Sequence, residues 1–116
     1  MSESLPELEV TVEDAAGTRT VVVRGDIDLN TSPELRDRFL ALLETPAVRL
    51  IVDLAGVKYI DSSGVGTIVE LRRKTERAGG KLVLCGLQPR VRDVFDITHL
   101  SRLFNIAVTQ DEARRL

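Results

Sequence analysis

The chain is poor in the residues that most enzymatic and metal chemistry draws on. It has one cysteine, Cys85, one histidine, His99, and no tryptophan in 116 residues. A lone thiol makes no internal disulfide, and there is no CxxC pair to begin a zinc set. One Cys and one His do not assemble a nucleophile with its base, so a small enzyme is the weakest expectation. Phe, Tyr and Trp make up only 3% of the chain, too few for a platform that stacks single-stranded nucleic acid. Positive charge is not in excess: 16 Lys and Arg face 18 Asp and Glu, for a formal net charge of -2. Nucleic-acid binders carry a basic surplus instead. No apolar run approaches the roughly 18 residues that cross a bilayer. The opening MSESLPELEV lacks the basic and apolar segments of a signal peptide. The expectation is a soluble, cytoplasmic protein with no cofactor, no metal, and no direct nucleic-acid or membrane partner.

What is present is globular: 43% hydrophobic and 29% charged residues, in a length that suits one domain over 1–116. Residues 1–6 are polar with a proline and are expected to fray. Leu8, Val10 and Val12 alternate with Glu9 and Thr11, which predicts a half-buried strand. Asp14 to Gly17 reads as a turn, and β-branched Thr20 to Val23 as the hairpin partner. Thr31-Ser32-Pro33-Glu34 has capping-box spacing with proline in the first turn, so a helix is predicted there. Leu35, Phe39, Leu42 and Leu43 give it an apolar face.

Val48 to Leu54 is nearly all apolar and predicts a central strand covered on both sides. A second helix is expected from about Ser63 to Ala78, with Val65, Ile68, Leu71, Thr75 and Ala78 facing the core. Arg72, Arg73, Lys74 and Arg77 crowd its latter half, which suits the negative end of a helix dipole. Gly79-Gly80 stops it. Lys81 to Cys85 predicts a further strand, Pro89 to about Asp96 a third helix, Arg102 to Ile106 a fifth strand. Thr109 and Glu112 repeat the capping-box spacing before a last short helix. The order β-β-α-β-α-β-α-β-α implies an α/β sandwich: a mostly parallel, mixed sheet of about five strands with about four helices.

The stretch Asp61-Ser62-Ser63-Gly64-Val65-Gly66 lies between the central strand and the second helix, at the carboxyl end of the sheet, where α/β proteins place function. The serines could be no more than caps. Two glycines in a first helical turn need another reason, since each costs about 1 kcal/mol against alanine. Without side chains they would let another molecule approach the backbone. A helix N-terminus also favours an anion, phosphate included.

At this point the sequence resembles a known family. Val52-Asp53-Leu54-Ala55-Gly56-Val57-Lys58-Tyr59-Ile60-Asp61-Ser62-Ser63-Gly64-Val65-Gly66 is similar to the signature of the STAS domain family, in particular its bacterial anti-sigma factor antagonists. Gly25-Asp26-Ile27-Asp28 with Thr31 resembles the family's strand-to-helix segment. Gly79 to Cys85 resembles its fourth strand, and Val91 to Thr98 its third helix. The similarity spans roughly residues 8 to 113.

The resemblance implies a STAS-like sandwich and a binding function. Family antagonists bind an anti-sigma factor that is also a serine kinase, and so release the sigma factor. The kinase uses ATP to phosphorylate the first serine of the Asp-Ser-Ser-Gly run, here Ser62, and a serine phosphatase restores it. The expected contact residues are Asp26, Asp61, Ser62, Ser63, Gly64 and Gly66; on a helical wheel Val69 lies off the core face with Gly66 and Arg73 beside it, which extends the expected surface along the second helix. A phosphoserine adds nearly two charges beside Asp61, and the helix end is expected to hold the phosphate without unfolding.

Other patterns carry less. Asp26-x-Asp28-x-Asn30 begins like a calcium loop, but Thr31 stands where glycine is required and Asp37 where a glutamate is. Gly64-x-Gly66 lacks the P-loop spacing. Cys85 lies in an apolar strand and reads as a buried structural thiol. The competing function is a STAS subunit of a transport system or signalling scaffold that does not cycle through serine phosphate.

Overall fold

A computed structural model describes residues 7–116. The expected tendency of residues 1–6 to fray lies outside the described residues. Strands β1 (Leu8–Ala15) and β2 (Thr18–Gly25) form an antiparallel hairpin. Strands β3 (Arg49–Gly56), β4 (Lys81–Cys85) and β5 (Asn105–Ala107) follow in parallel, giving the spatial order β1-β2-β3-β4-β5. Helices α1 (Ser32–Leu42), α2 (Ser62–Arg77), α3 (Pro89–Ile97) and α4 (Gln110–Arg114) connect or follow them. The mixed five-stranded sheet with four helices is the architecture expected from the element order.

Strand periodicity divides the residues between the two faces of the sheet. Val21 and Val23 of β2, Leu50, Val52 and Leu54 of β3, and Leu82 and Leu84 of β4 meet Leu35, Phe39, Ile68, Leu71, Val91 and Phe95 of the three longer helices. Ile51 and Val83 face the other way, with Cys85 and Ala107, and α4 covers them through Ala113. The central strand β3 is therefore buried on both sides, which explains why it is nearly all apolar. Cys85 is 1% exposed. Burial, with a lesser contribution from the Asp53 carboxylate, pushes its thiol up to about 12, so it stays a protonated, unreactive core group.

Arg19 escaped the sequence reading. Its side chain is nearly buried, yet it lies in a strand. Nη1 donates to the carbonyls of Leu42 and Thr45 at 2.7 and 2.5 Å, and Nε donates to Asp14 at 2.7 Å. The guanidinium thus closes the carbonyl end of α1, a helix with no basic residue in its own last turn.

Three local expectations change. Thr31 is not the capping residue of a box: its backbone is already helical, and its side chain caps no N–H of the helix. The Thr31 hydroxyl instead donates to the Asp26 carbonyl at 2.8 Å and accepts the Asp28 N–H at 2.9 Å. Asp28 Oδ1 accepts from the Asn30 and Thr31 N–H groups, so an aspartate turn leads into the helix. The fifth strand is shorter and later than Arg102–Ile106. Leu100–Arg102 is a 3-10 turn entered through His99 at φ 61°. The chain straightens only after Phe104, whose ring packs edge-on against Phe95 at 5.5 Å. Ala78 is exposed just past the end of α2 instead of lining the core.

The double-sided burial of β3 sets a stability expectation. Leu50→Ala removes a side chain only 3% exposed and should cost about 2–5 kcal/mol through lost burial and the cavity left behind. A urea midpoint that does not fall would place Leu50 outside the core.

Candidate functional site

Two loops meet at the carboxyl edge of the sheet. A register irregularity between Val22 and Arg24 ends the regular β2–β3 pairing. Gly25, at φ +115°, then turns the chain. A β-carbon there would run into the backbone carbonyl of Glu7, so only glycine fits. The β2–α1 loop is next recaptured by an isolated parallel bridge, Ile27 with Ile60. The Ile27 N–H donates to the Tyr59 carbonyl at 3.0 Å, and the Asp61 N–H donates to the Ile27 carbonyl at 3.1 Å. Both isoleucines are buried, while Leu29 is 76% and Tyr59 49% exposed. The bridge thus brings Asp26, Leu29 and Tyr59 alongside the start of α2.

Asp61 is the cap of α2, in place of either serine. Its backbone is extended, and Oδ1 accepts from the N–H groups of Ser63 and Gly64 at 2.9 and 3.2 Å. Oδ1 also accepts from Ser63 Oγ at 2.5 Å. The Ser63 hydroxyl, and then the backbone N–H donors, hold this carboxyl below the usual aspartate range against the opposing effect of burial. Ser63 Oγ is also 2.8 Å from Ser32 Oγ of α1. Ser62 is exposed and stands outside this chain of hydroxyls.

The glycines differ in purpose. Gly64 is buried. A β-carbon on it would collide with Ile27 Cγ2 and come within 2.8 Å of Ile60 Cγ1. Its missing side chain makes room for the protein's own bridge, which corrects the expectation that it serves approach by another molecule. Gly66 is exposed, with nothing within 4 Å of a β-carbon placed there, and it remains open to a partner. Ser62, Gly66, Val69 and Arg73 follow one another along the same side of α2. Val69 is half-buried and packs against the core, so it contributes less free surface than its position off the core face suggested. Arg73 is exposed.

Next to this strip a cleft of about 310 Å³ opens between α1 and α2, bordered by Leu29, Ser32, Pro33, Arg36, Ser63 and Thr67. Arg36 and Glu70 span the helix pair through two hydrogen bonds of 2.7 and 3.0 Å. Leu29 and the Ser32–Ser63 contact were missed by sequence reasoning. Periodicity gives no signal for a loop leucine, and a contact across 31 residues has no local mark.

This fold, with a double-serine turn capped by aspartate after the central strand, defines a class of small α/β domain. The chain belongs to the STAS domain family, whose model matches residues 9–113. Its anti-sigma-B factor antagonist relative from Bacillus subtilis is 32% identical over 90% of this chain and 94% of that protein. The crystal structure of an anti-sigma factor antagonist from Mycobacterium paratuberculosis superimposes with a TM-score of 0.87, at 27% identity over 97% of each chain. The anti-sigma factor antagonist SpoIIAA, in its unphosphorylated form, gives 0.75 at 25% identity, over 90% of this chain and 92% of that one. By sequence and by fold the protein groups with anti-sigma factor antagonists.

The two glycines should respond in opposite directions. Gly64→Ala should lower the unfolding midpoint, because the bridge above it must shift. Gly66→Ala should leave it unchanged or raise it, by up to about 1 kcal/mol of helix propensity. Equal midpoints for the two variants would overturn the packing role of Gly64.

The cap also makes a pH prediction. A carboxyl with a lowered folded-state pKa stabilises the fold fully above the unfolded aspartate value of about 3.9 and loses that contribution as pH falls through the lower folded value. Asp61→Ala should therefore cost about 1 kcal/mol at neutral pH and differ less from wild type near pH 2. Urea titrations of both proteins across this range would show it, and a difference independent of pH would refute it.

Proposed function

We propose that the protein is an antagonist of an anti-sigma factor that is also a serine kinase, and that it works as a binding module instead of an enzyme. Unphosphorylated, it occupies the anti-sigma factor and leaves the sigma factor free for RNA polymerase. Phosphorylation of Ser62 ends the complex, and a serine phosphatase resets it. The observation that carries the reading is the contrast between the two serines. Ser62 is exposed on the first turn of α2, whereas the Ser63 hydroxyl is committed to Asp61 and Ser32.

The electrostatics support a local switch. Asp61 already occupies the N–H groups of Ser63 and Gly64. A phosphate on Ser62 would therefore meet a carboxylate where an empty helix end had been expected to hold it. Two like charges at the rim of a contact surface are costly to bury. The phosphate stays in water, and the surface that carries it no longer docks. Leu29 and Tyr59 supply apolar contact beside it, with Asp26, Gly66 and Arg73 at the margins.

The test is phosphorylation of the whole protein by kinase-type anti-sigma factors with ATP, followed by mass-spectrometric mapping. Phosphate should map to Ser62. Ser62→Ala should stay folded, bind the kinase and resist phosphorylation. Ser62→Asp should bind more weakly, and Arg73→Glu should weaken binding without unfolding. Phosphate on Ser63, or Ser62→Asp binding as tightly as wild type, would overturn the switch and favour a scaffold or transport-subunit role.

A further inference from the structure

Three close oxygen contacts at the α1–α2 junction share two hydroxyl protons. Ser32 Oγ lies 2.6 Å from the Asp28 carbonyl and 2.8 Å from Ser63 Oγ, and Ser63 Oγ lies 2.5 Å from Asp61 Oδ1. Each hydroxyl donates one proton, so the three contacts compete. The Asp61 carboxylate is charged, and a hydrogen bond to it is about twice as strong as one between neutral groups, so Ser63 Oγ donates to Asp61 Oδ1. Ser32 Oγ donates to the Asp28 carbonyl, which also accepts the Ser32 N–H at 2.8 Å, and shares that proton with Ser63 Oγ in a three-centre contact.

The chain links two elements that regular secondary structure does not join. Ser32 opens α1 and is 5% exposed. Just before it, Asp28 holds the Asn30 and Thr31 N–H groups, which shapes the loop carrying Leu29. Ser63 is the second residue of α2, directly after Ser62, and its carbonyl accepts from Thr67 Oγ1 at 3.0 Å.

We propose that Ser63 is a positioning residue, a hydroxyl through which α1 steadies the N-terminus of α2, so that the Leu29 loop and Ser62 form one rigid surface. The functional meaning rests on the reading of Ser62 as the acceptor; the geometry does not. Removing the Ser63 hydroxyl leaves Asp61 its two backbone donors, so the cap and the fold persist. What is lost is the side-chain contact between Ser32 and Ser63, while the Ile27–Ile60 bridge remains.

Amide hydrogen exchange of the full chain, read by NMR without any partner, tests this. Ser63→Ala should speed exchange at Asn30 and Thr31, on the other element, by about tenfold, the factor one ordinary hydrogen bond supplies. Val52 and Leu54 in β3 should exchange as in wild type. Ser32→Ala should speed exchange at Ser63 and Gly64, across the junction in the opposite direction. Ser63→Thr, which keeps the hydroxyl, should restore protection at Asn30 and Thr31. Wild-type exchange at those two amides in Ser63→Ala, a change of equal size at Val52 and Leu54, or no rescue by Ser63→Thr would each overturn the proposal. Because no kinase enters the experiment, its outcome stands apart from the mapping of phosphate to Ser62.

Discussion

The site depends on one constraint, the bridge between Ile27 and Ile60 packed over Gly64. Two loops that leave the sheet from adjacent strands would otherwise diverge, because β2 breaks register before its end. The bridge restores two backbone hydrogen bonds between them and buries both isoleucines. Burial of this kind is tolerated only where the helix beneath has no side chain, and the N-terminal turn of α2 supplies that gap at Gly64. The position of α2, the capping geometry of Asp61 and the exposure of Ser62 all follow from that contact.

Above the bridge, polar chemistry separates two neighbouring serines of identical type. One lies where the aspartate cap and the facing helix can both reach it, and its hydroxyl is bound. The other points away from both and meets solvent. A residue one position along a helix turns by about 100°, which is enough to move a hydroxyl from a packed junction to an open face. The same turn places Gly66 and Arg73 on the side of Ser62, and Gly64 with Ser63 toward the protein.

Much of this was legible in the residues. The doubly buried β3 follows from its nearly all-apolar run, the cationic end of α2 from its basic cluster, and the cap of α4 from Thr109, which accepts the Glu112 N–H at 3.1 Å. The Asp61–Gly66 segment stood out because its glycines made poor sense as helix alone. Failures came where a local pattern had two solutions. Thr31 has the spacing of a capping box, but Asp28 and the Asp26 carbonyl compete for its hydroxyl and win. Arg102 to Ile106 has strand-like residues, but a left-handed His99 and the Phe95–Phe104 stack hold its first part in a turn.

The sequence by itself determined the element order, the mixed sheet and the identity of the segment that carries Ser62, because periodicity and turn chemistry act over a few residues and leave local marks. Only the tertiary structure decided the roles within that segment. It assigned Asp61 as the cap, Gly64 to internal packing and Gly66 to the open surface, and it divided the serines between a bound and an exposed hydroxyl. Those assignments depend on Ile27, Ser32 and Ile60, which reach the helix end from other loops and another helix. Contacts across some thirty residues of chain are set by how layers stack, and no local pattern encodes them.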